Sequence, residues 1–148
     1  MFRYILLLAR CAAIALVLPV SALSVSSGKI KVIAGGSSED VGSFSDNDVV
    51  FVSLSELAGT VGGTLDWQLI GQTVTYTDEG YRFEFLIGSP FVRLNDTLFN
   101  VTYPVAYRNG QLFVPAKTFV PFLDRVIPQK ITYEAGANDI RIESEYFN

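Results

Sequence analysis

The sequence predicts an α+β domain: a twisted antiparallel β-sheet wrapped around one or two short helices. Three observations predict it. Most segments alternate apolar and polar residues one by one, the period of a strand with one wet face. Two short stretches instead space their apolar residues at helical intervals. One strand-helix-strand-strand pattern also occurs twice, at about 49–76 and 111–142. In the first copy Val50-Phe51-Val52 leads through a helix to Gly62-Gly63, Leu65-Asp66-Trp67 and Thr73-Val74-Thr75-Tyr76. In the second, Leu112-Phe113-Val114 leads through a helix to Ile131-Thr132-Tyr133 and Asp139-Ile140-Arg141-Ile142. Trp67 precedes Val74 by seven positions, and Tyr133 precedes Ile140 by the same seven. No chemical group recurs with the unit, so the duplication points to a scaffold or binding module before an enzyme.

In chain order, residues 25–34 open with a strand, because Ile30, Val32 and Ala34 alternate with Lys29 and Lys31. Residues 35–48 are rich in Gly, Ser and Asp, lack apolar periodicity and read as a loop. Residues 49–52 form a strand, and Ser53 starts the first helix. Ser53 and Glu56 fit a capping box, in which hydroxyl and carboxylate satisfy free backbone donors at the helix start. Leu54, Leu57, Ala58 and Val61 make one apolar stripe, and Gly62-Gly63 ends the helix because glycine tolerates a left-handed C-cap. Strands follow at 64–68, 72–77, 81–87, 91–94 and 97–101, with turns between them. In the third of these, Tyr81, Phe83, Phe85 and Ile87 share one face, and Arg82 and Glu84 the other. Asn109-Gly110 sits between alternating segments and predicts a type I′ hairpin across 105–114. The second helix covers about 115–123, with Phe119, Phe122, Leu123 and Val126 on its apolar stripe. Pro121 inside it costs roughly 3 kcal/mol, so that helix is expected to be short or kinked. Residues 124–129 are expected to protrude as a loop, and strands at 131–133 and 140–142 close the sheet. The expected core is Leu54, Leu57, Val61, Trp67, Val74, Phe83, Phe85, Phe113, Phe119, Leu123, Tyr133 and Ile140.

The N-terminus reads as a secretory leader. Arg3 gives a positive start, an apolar run interrupted by Arg10 extends from Tyr4 to Val20, and Val20-Ser21-Ala22 has the small residues that signal peptidase prefers. Cleavage between Ala22 and Leu23 is expected, giving a leader at 1–22 and one domain at 23–148. The uninterrupted apolar stretch from Cys11 to Val20 is about half the roughly 20 residues that span a bilayer, so a cleaved leader is favoured over a retained anchor. Localisation would then be periplasmic, wall-associated or extracellular, with no stable membrane span after cleavage. The mature chain keeps 126 residues, enough to bury a sizeable core. It keeps nine basic and 15 acidic residues and loses the only Cys, at position 11. A net charge of −6 argues against nucleic acid and anionic lipid as partners. Without cysteine, packing alone must hold the domain.

The residues Val52-Ser53-Leu54, Leu57-Ala58, Gly62-Gly63, Leu65-Asp66-Trp67, Thr73-Val74-Thr75, Ile87-Gly88-Ser89-Pro90, Val92-Arg93-Leu94-Asn95 and Phe113-Val114-Pro115 carry a family resemblance. From about Lys29 to Ile142 the chain resembles the copper amine oxidase N-terminal-like domains of bacterial envelope proteins. The isoleucine-glycine-serine segment with the valine-x-leucine-asparagine strand is its most specific part. Pro121 departs from the pattern, which has a helix former there. The resemblance implies a sheet curled around a helix. It also implies a stalk-like accessory domain without copper site, quinone cofactor or oxidase activity. Such domains often lead cell-wall hydrolases, N-acetylmuramoyl-L-alanine amidases among them.

Absences restrict the chemistry. With no His, the chain cannot build a Ser-His-Asp triad or a His-ligated zinc or copper site, so a zinc amidase cannot be complete within it. With no Cys after cleavage it has no thiol nucleophile. Ala34-Gly35-Gly36-Ser37-Ser38 has no following Lys and is no phosphate loop. Asp78-Glu79 falls in a turn, where carboxylates are usually solvated rather than paired across a cleft. Glu39-Asp40, Asp46 and Asp48 offer oxygen ligands without the spacing of a calcium motif. Asn95 and Asn100 begin glycosylation sequons, unused if the host is bacterial. Trp67, Tyr76, Tyr81, Phe83, Phe85, Phe91, Phe99, Tyr103, Tyr107 and Phe113 have two readings, a sugar-stacking face or alternating core, and strand alternation favours core. The expectation is therefore a non-catalytic, cofactor-free envelope module. It would be the stalk or wall-targeting part of an amidase-type hydrolase, with peptidoglycan, another envelope protein or a linked C-terminal hydrolase domain as partner. A free-standing secreted binding or assembly protein is the alternative.

Overall fold

The computed structural model describes residues 25–143, in 12 strands and two helices. The leader and its Ala22–Leu23 junction lie outside the described residues. The chain starts with β1 (Ser26–Ala34), β2 (Ser37–Asp46) and β3 (Val49–Ser53), then α1 (Leu54–Val61). A five-stranded meander follows: β4 (Thr64–Gln68), β5 (Thr73–Asp78), β6 (Tyr81–Leu86), β7 (Phe91–Leu94) and β8 (Thr97–Asn100). The chain then returns through β9 (Ala106–Arg108), β10 (Gln111–Pro115), α2 (Ala116–Asp124), β11 (Lys130–Glu134) and β12 (Asp139–Glu143).

The architecture is mostly β with two short helices, but the strands form two sheets rather than the single sheet expected. The larger sheet runs β11-β12-β1-β2-β3-β10-β9 and the smaller β4-β5-β6-β7-β8. One pair is parallel: Lys31 lies opposite Asp139 and Ala34 opposite Ile142. Alternation tells which side chains face the core; it does not tell which strands share a sheet or in which direction a sequence-distant partner runs.

Residues 35–48 correct the loop expectation, because most of them form β2. Gly35 and Gly36 both have positive φ (+56° and +83°), as a two-residue type I′ turn requires, and they fold β2 back along all of β1. Asn47 and Asp48 repeat the device (φ +48° and +65°) and fold β3 back along β2. The Ser-, Glu- and Asp-rich composition that suggests a loop is the exposed first half of β2, while Val41 and Phe44 are buried.

Helix α1 starts at Ser53, whose Oγ accepts the Glu56 N–H at 3.2 Å. The other half of the expected capping box differs. The Glu56 carboxylate accepts instead from the Gly42 N–H on β2 and the Gln111 amide on β10, both at 2.7 Å. At the far end Gly62 (φ +99°) and Gly63 (φ +90°) turn the chain out of the helix. Gly63 has a second reason to be glycine, because a Cβ there would lie 2.6 Å from the Tyr76 ring. Tyr76 is buried and donates its hydroxyl to the Gly62 carbonyl at 2.7 Å. Burial, and then the Asp78 carboxylate, push its phenol well above the ordinary range.

Helix α2 has nine residues, with Pro115 at its N-cap and Pro121 inside. The segment after it does not protrude. Val126 and Ile127 donate back to the Leu123 carbonyl, Ile127 is buried, and the Asp124 carboxylate accepts the Ile131 N–H at 2.7 Å. Both sheets and both helices share one core. Leu54, Leu57, Val61, Val74, Phe83, Phe85, Phe119, Leu123 and Ile140 are buried in it, and the Phe119 ring packs against Phe83 and Phe85. Phe113 is buried in a separate cluster with Phe44 and Phe51. Trp67 and Tyr133, also on the expected core list, are partly buried and pack against its margin. They sit on β4 and β11, edge strands with a neighbour on one side only.

Leu57→Ala and Phe119→Ala should each cost about 2–5 kcal/mol, read as a lower denaturant midpoint, because both side chains are fully buried. Tyr76 carries a pH signature. Its phenol is raised in the folded state, so an unfolded chain loses that proton first as pH rises through the ordinary value of 10.0. The contribution is complete below that pH and is lost above it. The denaturant midpoint of wild type should run parallel to that of Tyr76→Phe below about pH 9 and fall more steeply from about pH 10 upward. Midpoint-against-pH curves that stay parallel throughout would contradict this placement of the tyrosine.

Candidate functional site

The depressions on the described surface include three with distinct linings. The one with the most distinctive lining lies where an edge of the small sheet meets an edge of the large one. Trp67 and Gln68 come from β4, Leu69 and Gln72 from the β4–β5 turn, Thr73 from β5, Ile87 from the turn just after β6, and Tyr107 from β9. Its volume is about 320 Å³, at the small end of ligand pockets.

The local sequence explains each wall. Gly62-Gly63 delivers the chain from α1 directly into β4, and Leu65 and Trp67 then turn toward the core margin. The Asn109-Gly110 turn (φ +49° and +80°) pairs β9 with β10 and places Tyr107 opposite Leu112. The rings of Trp67 and Tyr107 meet edge to face, with centroids 5.3 Å apart. Two hydrogen bonds tie the chain after Ile87 to the approach to β9: Gly88 N–H donates to the Val105 carbonyl at 2.9 Å, and Val105 N–H to the Ser89 carbonyl at 3.1 Å. Gln72 adopts a left-handed backbone (φ +50°), and its carbonyl accepts the Ile87 N–H at 2.9 Å. The Thr73 hydroxyl makes a long contact, 3.5 Å, to the Gln68 side-chain oxygen.

Among the described residues, the lining contains no Asp, Glu, Lys or Arg. The other two depressions do. One holds Glu84 and Arg93 on the outer face of the small sheet, and the other Asp48 and Lys117 beside Tyr103 and Tyr133. Burial raises the Tyr133 phenol above its ordinary range. The cleft is open: Tyr107 is 47% exposed, Leu69 is 82% exposed, and neighbouring Ile70 is fully exposed at the tip of the turn.

The other candidate groups are not brought together. Glu39 and Asp46 stand seven residues apart on the extended β2, about 23 Å, too far to share an ion. Among the described residues no group of three carboxylate, His or Cys side chains could hold a metal. Glu79 lies in the β5–β6 turn (φ +32°) beside Asp78, at the end of β5. The Asn95 side chain accepts the Arg82 N–H and so ties the β7–β8 turn to β6, and the Asn100 side chain accepts the Thr102 N–H two residues on and shapes its own turn. The buried Asp139 carboxylate meets the Arg141 guanidinium at 3.4 Å. Of the aromatics offered as a stacking face, Tyr76, Phe83, Phe85 and Phe113 are buried, Tyr81 and Phe99 are partly buried, Phe91 and Tyr103 are exposed elsewhere, and Trp67 and Tyr107 meet at a cleft. Sequence reasoning missed Gln68, Leu69, Gln72, Thr73 and Ile87. The signal available was Leu69-Ile70, an apolar pair where turn chemistry favours polar residues.

The pattern that defines the family described as Copper amine oxidase N-terminal domain matches residues 32–142, about three quarters of the chain, from the middle of β1 to β12. The chain belongs to that family. The copper amine oxidase N-terminal domain is a stalk-like, non-catalytic unit, and it accounts here for both sheets and both helices. No curated protein and no solved structure matches the chain significantly.

Proposed function

We propose that this copper amine oxidase N-terminal domain is an exported, non-catalytic accessory module of the bacterial cell envelope. Residues 1–22 are its leader and 23–148 the mature domain. It acts as the stalk or wall-targeting part of a peptidoglycan hydrolase of the N-acetylmuramoyl-L-alanine amidase type. The observation that carries this reading is the site itself: an open, aromatic cleft with no ionisable group but the Tyr107 phenol, suited to holding a ligand and not to transferring protons to one. An in-frame zinc amidase domain following this segment in the genome would support the amidase link, and a continuation unrelated to wall hydrolysis would remove it.

The two strand-helix-strand-strand runs are copies of one unit. In support, β3 and β10 pair side by side, and each passes directly into a helix. Failure of the two runs to superpose in a crystal structure would remove this part. The second reading, a free-standing assembly protein that uses a sheet edge, is favoured by β8. That edge strand is Thr97-Leu98-Phe99-Asn100, without the charge or proline that usually guards an edge, and Leu98 is 59% exposed.

The exported protein should begin at Leu23 by intact mass, and retention of residues 1–22 would show an anchor instead. The purified chain should release no dye from labelled peptidoglycan, with or without added zinc or copper, because it has no His and its carboxylates favour harder ions. It should sediment with insoluble peptidoglycan. Lysis by this chain alone would overturn the accessory reading, and absence of sedimentation would leave a spacer rather than a wall binder.

A further inference from the structure

We infer that the Trp67–Tyr107 cleft is a binding site for a neutral saccharide chain, an inference that deepens the accessory-module reading and rests on it. The lining matches the two faces of a pyranose. A sugar ring presents an apolar C–H surface and a rim of hydroxyls. Trp67, Tyr107, Ile87 and Leu69 supply apolar surface, and Gln68, Gln72 and Thr73 supply neutral hydrogen-bonding groups beside it.

Those polar groups have capacity left for a ligand. The exposed Gln68 carboxamide meets the Thr73 hydroxyl only through the long 3.5 Å contact, so its N–H₂ donors and carbonyl lone pairs stay available to a ligand. The Thr73 oxygen retains its lone pairs. A donor and an acceptor thus sit side by side, as a hydroxyl that both gives and takes a proton requires.

The same lining argues against other ligand classes. A phosphate or carboxylate would find no cation there, and a basic ligand no carboxylate. An apolar peptide side chain would cover the two carboxamides without replacing their bonds to water, a cost of roughly 1–3 kcal/mol for each group left unpaired.

The chain has one tryptophan, so its emission reports this cleft alone. The test titrates the full chain with N-acetylglucosamine trimer and, in a separate arm, with cellotriose. The two arms distinguish an amino-sugar from a plain glucan. A saturable change in Trp67 emission with either sugar, at a dissociation constant of about 1 mM or tighter, is the expected result. Tyr107→Ala and Gln68→Leu should each weaken it about tenfold. Gln68 is an exposed edge position, so its variant should keep the wild-type circular dichroism and melting midpoint.

Neither sugar changing the emission up to about 10 mM would overturn the inference. So would an apolar peptide, acetyl-Leu-Leu-amide, that saturates the signal and binds Gln68→Leu as well as wild type. Sedimentation with peptidoglycan alongside silent sugar titrations would sink the cleft and leave wall binding standing. Sugar binding without sedimentation would keep the cleft and sink the wall reading.

Discussion

Strand β3 leaves the large sheet before either of its neighbours does, and the fold depends on how that gap is filled. Its pairing with β2 stops at Val52, opposite Ser43, and its pairing with β10 stops at Ser53, opposite Phe113. The next backbone donors on both sides, Gly42 and Leu112, then face the start of α1 rather than a strand. Side chains of its first turn take over the ladder. Glu56 accepts from the Gly42 N–H and the Gln111 amide, and Ser55 accepts from the Leu112 N–H at 3.1 Å. A carboxylate suits this position because hydrogen bonds to a charged acceptor contribute about 1.5–3 kcal/mol each. Gly42 suits it because a Cβ there would already stand 3.0 Å from the carboxylate.

That arrangement sets the site as well as the fold. The start of α1 holds β10 through Leu112, which lies opposite Tyr107 on β9. The end of α1 passes through Gly62-Gly63 into β4 and so places Trp67. Tyr76 locks this exit by bonding the Gly62 carbonyl. One eight-residue helix therefore anchors both aromatic walls of the cleft, although they come from different sheets. Both walls stand on edge strands, which explains why their rings are reachable from solvent.

What could be read from the sequence was whatever local chemistry determines. The Ser53 cap, the Gly62-Gly63 stop, the Asn109-Gly110 hairpin and the buried faces of α1 and β6 each follow from residues a few positions apart. What could not be read depended on distant partners. Strand β2 looked like a loop because half of it is a wet hairpin arm. The parallel β1–β12 seam joins residues more than 100 positions apart and leaves no turn signal. Glu56 fits a local box, yet its carboxylate bonds two other strands. Trp67 and Tyr107 were visible as aromatics, but only the meeting of two sheet edges makes them a site.

The most direct test of this account is amide hydrogen exchange at Gly42 and Leu112, compared between wild type and Glu56→Ala. Both amides lie beyond the end of the β3 ladder, so only the α1 side chains protect them on that side. In wild type, Gly42 should exchange at least roughly a hundredfold more slowly than an unstructured amide. In Glu56→Ala that protection should be lost at Gly42, while Leu112, held by Ser55, keeps more of its own. Gly42 exchanging at an unstructured rate in wild type, or equally protected in both proteins, would contradict the claim that the first turn of α1 completes the sheet.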